Sequence, residues 1–343
     1  MSARRTKPKY DLVTIGDATW DAVVTGSDTR VVTQRGKKYL AYPYGEKIHL
    51  DEAYFSHGGG AANVAVSAAR LGVKVAYCGS LGTDRVGQDI REHFKKQKVD
   101  ASLAVRDPGH VSALAVVLTA PDGERTILLY DGSNRDLGTV TLPWPKLFDT
   151  RWLYLPSLPG AADKLYNRLA REAGKNGVKL ALNPGSYQIK RGTRGLHSAL
   201  ENCDVLLLNN DEAVVLLRQR GHTARTLPAM LRKLHGITGG IVAITRGPRG
   251  AVATDGINLY DLPVLSNQRV NTVGAGDAFG STLVVALLKG KPLAEAMVYA
   301  SLNASSVVAD YTAQHGLCTW RELTAQFNRT AGYHPKITPL PKR

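Results

Sequence analysis

The sequence predicts an α/β protein with a mostly parallel central sheet, helices on both faces of that sheet, and a small inserted β-sheet. From residue 151 onward, short apolar strand-like runs alternate with segments of helical spacing, a pattern typical of parallel sheets covered on both sides. Residues 10–17 read as a buried first strand. Residues 22–55 and 111–131 instead hold short β-like runs broken by turn residues such as Pro121, Asp122 and Gly123, which predicts a separate small sheet.

Size and composition are those of an ordinary globular protein. The chain has 343 residues, 43% of them hydrophobic and 21% charged, enough to bury a sizeable core in one large domain or two smaller ones. It has no apolar run near the ~20 residues of a membrane helix and no apolar signal region at its basic start. Its three cysteines are odd in number and far apart, which suits reduced thiols. We therefore expect a cytoplasmic protein without a membrane segment.

The formal net charge of +15 is high, and part of it lies in the two ends of the chain. Nucleic-acid binding is one interpretation, but the sequence has no zinc-finger spacing, no RNP-like motif and no basic helix interleaved with aromatic residues. The other interpretation is a basic enzyme surface that attracts polyphosphate substrates. We expect no specific nucleic-acid partner.

The most informative stretch is residues 270–290, VNTVGAGDAFGSTLVVALLKG. A glycine-rich turn that leads into a helix directs free backbone N–H groups at one point, which makes an anion site. A carboxylate beside an anion site is unexpected. It is explained if Asp277 deprotonates a neutral hydroxyl while the amides of Gly274, Ala275 and Gly276 bind a phosphoryl group. Asp277 as a plain helix N-cap remains an alternative. A dinucleotide fingerprint is disfavoured because a helical segment, not a strand, follows.

Other polar residues follow predicted strands or open predicted helices. Asp17 stands at the end of the first strand, where open α/β sheets place ligands, although it could be a turn former. Gly58, Gly59 and Asn63 precede and open an alanine-rich helix, and the glycines could serve helix packing alone. Asn209 and Glu212 open another helix with an N-x-x-E spacing.

Together these motifs resemble the ribokinase (PfkB) family of carbohydrate and nucleoside kinases. NTVGAGDAFGSTL is similar to the family's C-terminal signature, usually written D-T-x-G-A-G-D-x-F, and GG-x-x-x-N to its N-terminal one. The resemblance covers roughly residues 11–318. It implies a ribokinase-like three-layer α/β/α sandwich with a β-sheet lid over the substrate. It also implies ATP as co-substrate, Mg²⁺ at the phosphates, Asp277 as the general base, and the GAG turn as the anion hole.

The resemblance also assigns the remaining site residues. Asp17, Gly58, Gly59 and Asn63 would bind the acceptor substrate. Glu212 would order Mg²⁺ through water. The nucleotide would contact Asn209, Thr245, Gly247 and Asn303. For Asn303, an exposed position on the surface of a helix is an equally good interpretation. Arg125, at the base of the lid, would touch substrate or simply be an exposed strand residue.

One departure affects the expected cofactors. The family's first signature Asp is Asn271 here, and that Asp usually helps to form a monovalent-cation site. Potassium dependence is therefore expected to be weak. Some family members dimerise through the lid, so a homodimer is a further expectation.

The sequence predicts a basic tail at residues 1–9, one kinase domain at 10–330, and a Pro/Lys-rich tail at 331–343. The predicted function is transfer of the ATP γ-phosphoryl group to a sugar hydroxyl. Two alternatives stay open. One is an adenosine-like nucleoside kinase, and the other is a catalytically silent PfkB-like binding or regulatory protein.

Overall fold

The structure is a computed structural model. It describes residues 7–26, 28–120, 124–158, 163–190, 196–224, 226–265, 270 and 272–341. The strands are β1 (Tyr10–Ile15), β2 (Thr19–Thr25), β3 (Arg30–Gln34), β4 (Lys37–Ala41), β5 (Glu52–Gly58), β6 (Val75–Cys78), β7 (Ser80–Gly82), β8 (Val105–Asp107), β9 (Ala113–Thr119), β10 (Arg125–Tyr130), β11 (Thr150–Leu155), β12 (Lys179–Leu182), β13 (Val205–Asn209), β14 (Ile241–Thr245), β15 (Ala251–Thr254), β16 (Asn258–Leu262) and β17 (Lys336–Pro339).

The α-helices are α1 (Gly60–Arg70), α2 (Arg85–Lys96), α3 (Trp144–Leu147), α4 (Asp163–Lys175), α5 (Ser186–Lys190), α6 (His197–Glu201), α7 (Asn210–Gln219), α8 (Leu227–Thr238), α9 (Ala275–Leu288), α10 (Leu293–Val308) and α11 (Trp320–Arg329). Within the described residues, no helix is both long and apolar enough to cross a bilayer.

The central sheet has nine strands in the described chain, in the order β17-β16-β15-β14-β13-β12-β11-β1-β6. The six from β14 to β6 are parallel, and β15, β16 and β17 add an antiparallel edge. Side chains alternate between two cores, as strand geometry requires. Leu12 and Tyr154 pack with α1, α2, α9 and α10, whereas Val13 and Leu155 pack with α4, α6, α7 and α8. The predicted three-layer α/β/α sandwich is confirmed.

The lid is a four-stranded sheet in the order β10-β9-β2-β5. It begins at Thr19, a little earlier than predicted, because β2 follows β1 after only three residues. Strands β3 and β4 form a separate two-stranded ribbon. The turn predicted at 121–123 lies outside the described residues, although β9 and β10 on either side of it pair antiparallel as a hairpin. Strand β5 leads directly into α1, so the lid is continuous with the N-terminal glycine motif.

The prediction that residues 331–343 form a tail outside the domain is wrong for β17. Lys336–Pro339 pairs antiparallel with β16 and completes the edge of the central sheet, and the Leu340 N–H donates to Ile257 O at 2.8 Å. Lysine and proline are common on edge strands, where they discourage pairing with another chain. The composition that suggested a tail is therefore also the composition of a protected edge.

Candidate active site

Two carboxylates face one small space at the carboxyl end of β1. Asp17 follows β1, Gly60 begins α1, and Asp277 lies in the first turn of α9. A side chain at Gly60 would start 3.5 Å from Asp17 Oδ1 and 3.7 Å from Asp277 Oδ1. Pro156 Cβ lies 3.2 Å from the same point, so a side chain there would be crowded. Glycine at this position leaves the two half-buried carboxylates facing the same region.

The start of α9 is built as an open anion site. Gly274 is the N-cap residue and has φ 78°, a left-handed conformation that favours glycine. Within the described chain, no side chain caps this helix. A Cβ at Gly276 would meet nothing within 4 Å, so the first-turn backbone faces open space. Uncapped first-turn amides and the helix dipole together favour an anion. The N-cap alternative for Asp277 is wrong, because it stands three residues after the cap.

Burial raises the pKa of the Asp277 carboxyl to about 7. The nearby charge of Asp17 raises it further, while a hydrogen bond from Asn63 Nδ2 to Asp277 Oδ2, 2.9 Å long, lowers it. A carboxyl with this pKa is about half ionised at pH 7, and its ionised form is basic enough to share a proton with an alcohol. Burial likewise raises the pKa of Asp17, which accepts from the Ala61 N–H at 3.3 Å.

Asn63 bonds to two other side chains of the protein. The sequence assigned its side chain to the acceptor hydroxyl, but its Nδ2 donates to Asp277 and its Oδ1 accepts from Gln314 Nε2 at 2.9 Å. Asn63 is 5% exposed. Its amide is therefore bonded to protein on both sides, and the predicted contact of Asn63 with the acceptor stays a prediction. Gln314 was missed, since it belongs to no motif recognised in the sequence.

The three consecutive glycines of the N-terminal motif have different surroundings. A Cβ on Gly58 would lie 1.9 Å from Asp21 Oδ2, and one on Gly59 would lie 2.7 Å from Ala18 Cα. Neither position has room for a side chain. The absence of a Cβ at both allows α1 to begin in contact with the β1–β2 connection. Gly60, which the sequence reading did not single out, is the glycine that opens onto the two carboxylates.

A cavity of about 370 Å³ lies on the other side of the GAG turn. Asn209, Thr245 and Gly247 line one part of it, and Ala275 and Gly276 line another. The loop residues at the ends of β13 and β14 thus share one cavity with the anion site, which is the placement expected for a nucleotide whose phosphates reach the turn. Three of the four predicted nucleotide contacts come together here.

Asn303, the fourth predicted nucleotide contact, does not line this cavity. It is fully buried on α10, where Nδ2 donates to Thr282 Oγ1 at 2.8 Å and Oδ1 accepts from the Cys318 N–H at 2.9 Å. Its neighbours Ala304 and Val308 line the cavity instead. The sequence analysis chose the helix that borders the cavity, but the Asn303 side chain lies on a face of that helix that does not line it. Asn303 therefore ties α10 to α9 and to the loop before α11.

The N-x-x-E motif forms a capping box at the start of α7. Asn209 Oδ1 accepts from the Glu212 N–H at 2.8 Å, and Glu212 Oε2 accepts from the Asn209 N–H at 2.9 Å. Glu212 Oε1 also accepts from Ser186 Oγ at 3.3 Å. Burial raises the pKa of the Glu212 carboxyl. One half-buried carboxylate beside this cavity suits Mg²⁺, which keeps several waters and binds through one or two carboxylates plus substrate phosphates.

An all-protein metal cage is not found among the described residues, where no group of three His, Cys, Asp or Glu side chains could bind a metal ion. Asn271 lies outside those residues, so the expectation of weak potassium dependence stays a prediction.

The three-layer sandwich, the β-sheet lid and the uncapped helix start beside a half-buried carboxylate belong to a ribokinase-like phosphotransferase whose acceptor group is a hydroxyl. The pfkB family of carbohydrate kinases matches residues 21–320, and the chain belongs to that family.

The similar proteins include both sugar and nucleoside kinases. The ribokinase of Haemophilus influenzae is 27% identical over 296 residues, which cover 84% of this chain and 94% of the relative. The nucleoside kinase of Methanothermobacter thermautotrophicus is 25% identical over 283 residues, with coverage of 82% and 87%. Among solved structures, the nucleoside kinase of Methanocaldococcus jannaschii superimposes with a TM-score of 0.78 at 18% identity, covering 94% of this chain and 100% of that one. The Arabidopsis thaliana ribokinase complexed with ribose and ATP gives a TM-score of 0.75 at 23% identity, covering 92% and 98%.

Proposed function

We propose that this protein transfers the γ-phosphoryl group of ATP to a hydroxyl of a sugar. The observation that carries the proposal is the space beside Gly60, which two carboxylates share next to the uncapped start of α9. An alcohol bound there by Asp17 is within reach of Asp277, and the cavity on the other side of the GAG turn accommodates the nucleotide.

Asp277 is the proposed general base. Its carboxylate takes the proton of the acceptor hydroxyl as that oxygen attacks phosphorus, and the bond from the γ-phosphorus to the bridging oxygen of ADP breaks. The amides of Gly274, Ala275 and Gly276 stabilise the charge on the phosphoryl oxygens, a preorganised contribution of about 3–4 kcal/mol per donor. Asp17 orients the acceptor, because a carboxylate can accept hydrogen bonds from two hydroxyl groups.

Glu212 is the residue proposed to hold Mg²⁺, through water. When bound, Mg²⁺ neutralises charge on the phosphate oxygens. The capping box fixes the Glu212 carboxylate at the start of α7, on the same edge of the sheet as the cavity. Asn209 and Thr245 would contact the nucleotide from the ends of neighbouring strands.

The experiment that tests this function is ATP consumption with separate panels of sugars, phosphosugars and nucleosides, with and without EDTA. We expect Mg²⁺-dependent turnover with a neutral polyol. Thermal shift with a non-hydrolysable ATP analogue identifies acceptors independently, since ligands of the native state raise the melting temperature. If ligands bind and none is phosphorylated, the silent-binder alternative is correct.

A nucleoside acceptor is the second candidate, and the lid favours it. Arg125, Ile127 and Leu129 share one face of β10, because side chains alternate along a strand. Arg125 contacts Thr272 in the loop before α9, so this face is directed at the site. Ile127 and Leu129 are 45% and 57% exposed. Two apolar side chains on that face suit an acceptor with an apolar part, such as a nucleobase, and turnover of nucleosides alone would decide for this candidate.

The opposite face of the lid supports the proposed homodimer. Phe55, Ala22, Val116 and Leu128 lie in one row across β5, β2, β9 and β10. Phe55 and Leu128 are more than half exposed. An apolar row on a sheet face is a suitable surface for a second copy. The three cysteines are buried free thiols, which supports the proposed cytoplasmic location.

A further inference from the structure

The loop between α10 and α11 places a buried amide behind the proposed base. Gln314 in this loop is 2% exposed. Its Nε2 donates to Asn63 Oδ1 at 2.9 Å, and its Oε1 lies 2.7 Å from His93 Nε2 on α2. Asn63 in turn donates to Asp277 at 2.9 Å. Four side chains from α2, the loop, α1 and α9 therefore form one continuous chain of hydrogen bonds.

The direction of this chain follows from its last member. An ionised carboxylate only accepts, so Asn63 must present its N–H to Asp277 and its oxygen to Gln314. Gln314 must then present its N–H to Asn63 and its oxygen to His93. His93 must consequently donate from Nε2, which fixes its tautomer. Each side chain donates to the next, and the last donation reaches the Asp277 carboxylate.

The outer half of the chain is held in place by several contacts. Arg70 Nη1 donates to the backbone oxygens of Gln314 and Leu317, both at 2.8 Å. The His93 ring stacks on the His57 ring of lid strand β5, with centroids 4.1 Å apart. Tyr311 of the same loop stacks on Tyr54 of β5 at 4.3 Å. The loop is therefore fixed to α1 and to the lid, and Gln314 has little freedom to rotate away from Asn63.

We propose that Gln314, oriented by His93, is a positioning residue for the general base. It keeps the Asn63 N–H directed at Asp277 Oδ2, which stabilises the ionised base and leaves Oδ1 directed at the acceptor space beside Gly60. This inference rests on the proposed function, because it gives Asp277 the role of base.

The charged and titratable neighbours of the chain lie at its two ends. Asp17 is the charged group that acts on Asp277, and the charge of Asp277 in turn helps burial to raise the pKa of the Tyr154 hydroxyl. At the outer end, His93 is surrounded by His57, Arg70, Lys96 and His315, and burial lowers its pKa, so it remains neutral and able to keep one tautomer. Gln314 and Asn63 do not ionise, so a change at Gln314 alters the chain without removing a charge.

The test compares Gln314→Leu with Gln314→Glu. Gln314→Leu removes the N–H that donates to Asn63 Oδ1. Gln314→Glu places a carboxylate there, which attracts the Asn63 N–H away from Asp277 and favours the flipped orientation of the Asn63 amide. Under the proposal, the base pKa in the pH profile of kcat/KM rises by about one unit in Gln314→Leu and by more in Gln314→Glu. On the acid side kcat/KM then falls about tenfold or more, while the alkaline plateau is preserved. Gln97→Leu is the matched control, because Gln97 bonds to Arg70 beside the same loop but lies outside the chain.

A second readout needs no turnover. Difference infrared spectroscopy follows the carboxyl C=O band that titrates near pH 7, well above ordinary Asp and Glu groups, and Asp277→Asn assigns the band by removing it. If the wild-type protein phosphorylates nothing, the proposed function fails while this titration still tests the hydrogen-bond chain. Unchanged titration in both Gln314 variants would overturn the inference, as would a larger shift for leucine than for glutamate. Should Gln314→Leu not fold, His93→Phe keeps the ring stack, removes the N–H, and should give a smaller upward shift.

Discussion

Arg125 of lid strand β10 donates a hydrogen bond from Nη1 to Thr272 Oγ1, so the lid is joined to the loop that leads into α9. Arg125 also lines the cavity beside the GAG turn. The Arg125 Nε is buried and has no hydrogen-bond partner among the described residues. A cation with an unused donor at this position suits a phosphate group. The sequence left the role of Arg125 open, and the structure favours the contact with substrate.

We expect Arg125→Met to lower kcat/KM for ATP by about 10–100-fold, because a charge-assisted contact is worth roughly 1.5–3 kcal/mol. Arg125→Lys keeps the charge but not the forked geometry, so its loss should be intermediate. Steady-state kinetics measure both variants. Arg85→Met on α2, which is exposed and paired with Asp89, is the matched control. Equal kinetics for Arg125→Met and the control would mean that Arg125 only anchors the lid.

Asp277→Asn should keep the fold and the nucleotide affinity while kcat falls by roughly 10²–10⁴-fold, the range for general-base catalysis. The amide is isosteric and its oxygen can still accept from Asn63. Loss of a negative charge beside the anion site can also tighten ATP binding. Measurements of kcat, ATP affinity and melting temperature distinguish these effects. A near-normal kcat for this variant would end the proposed mechanism.

The pH dependence follows from the raised pKa of Asp277, about 7. The base works when ionised, so kcat/KM should rise with pH through about 7 and level off above it. The contribution of Asp277 to the free energy of unfolding changes with pH in the opposite direction. The folded state binds the Asp277 proton more tightly than the unfolded chain, so this stabilisation is present at low pH and lost as pH rises through 7. Asp277→Asn should therefore gain most in melting temperature, relative to wild type, above pH 7.

Glu212→Gln separates the proposed metal role from helix capping, because glutamine also completes a capping box. The half-saturating Mg²⁺ concentration should rise by about tenfold, since one charge-assisted contact is lost. The melting temperature should change little. The chain offers a matched control in Glu322→Gln, which alters the capping box of α11 in the same way. If both variants respond identically to Mg²⁺, Glu212 serves only the helix.

The sequence predicted the sandwich and the small inserted sheet from local patterns, and its resemblance to the kinase family implied that Asp17 and Asp277 serve one acceptor. Periodicity identifies strands and helices, and a glycine turn before a helix identifies an anion site. The hydrogen bond from Gln314 to Asn63 could not be predicted in the same way, since Gln314 follows Asn63 by 251 positions in the chain. Such a contact is set by how the α10–α11 loop packs on α1 and α2, and no local pattern encodes it.

Asn303 and Gly60 show two further limits of what local sequence patterns can predict. The helical spacing of α10 predicted a helix but not which of its faces meets the nucleotide cavity, and a one-residue error moves a side chain about 100° around a helix. Gly60 was one of three consecutive glycines, and only the packing of Gly58 on Asp21 and of Gly59 on Ala18 leaves the third to face the carboxylates. Residue type alone could not distinguish them.

Strand β17 makes the end of the chain part of the enzyme's architecture. Shortening the protein at residue 330 would leave β16 with a row of unpaired backbone groups, a template on which other molecules can add strands. Such a shortened protein should self-associate and aggregate at concentrations where the chain of residues 1–343 does not. An affinity tag for purification therefore belongs at the amino terminus, where it leaves the β16–β17 pairing intact.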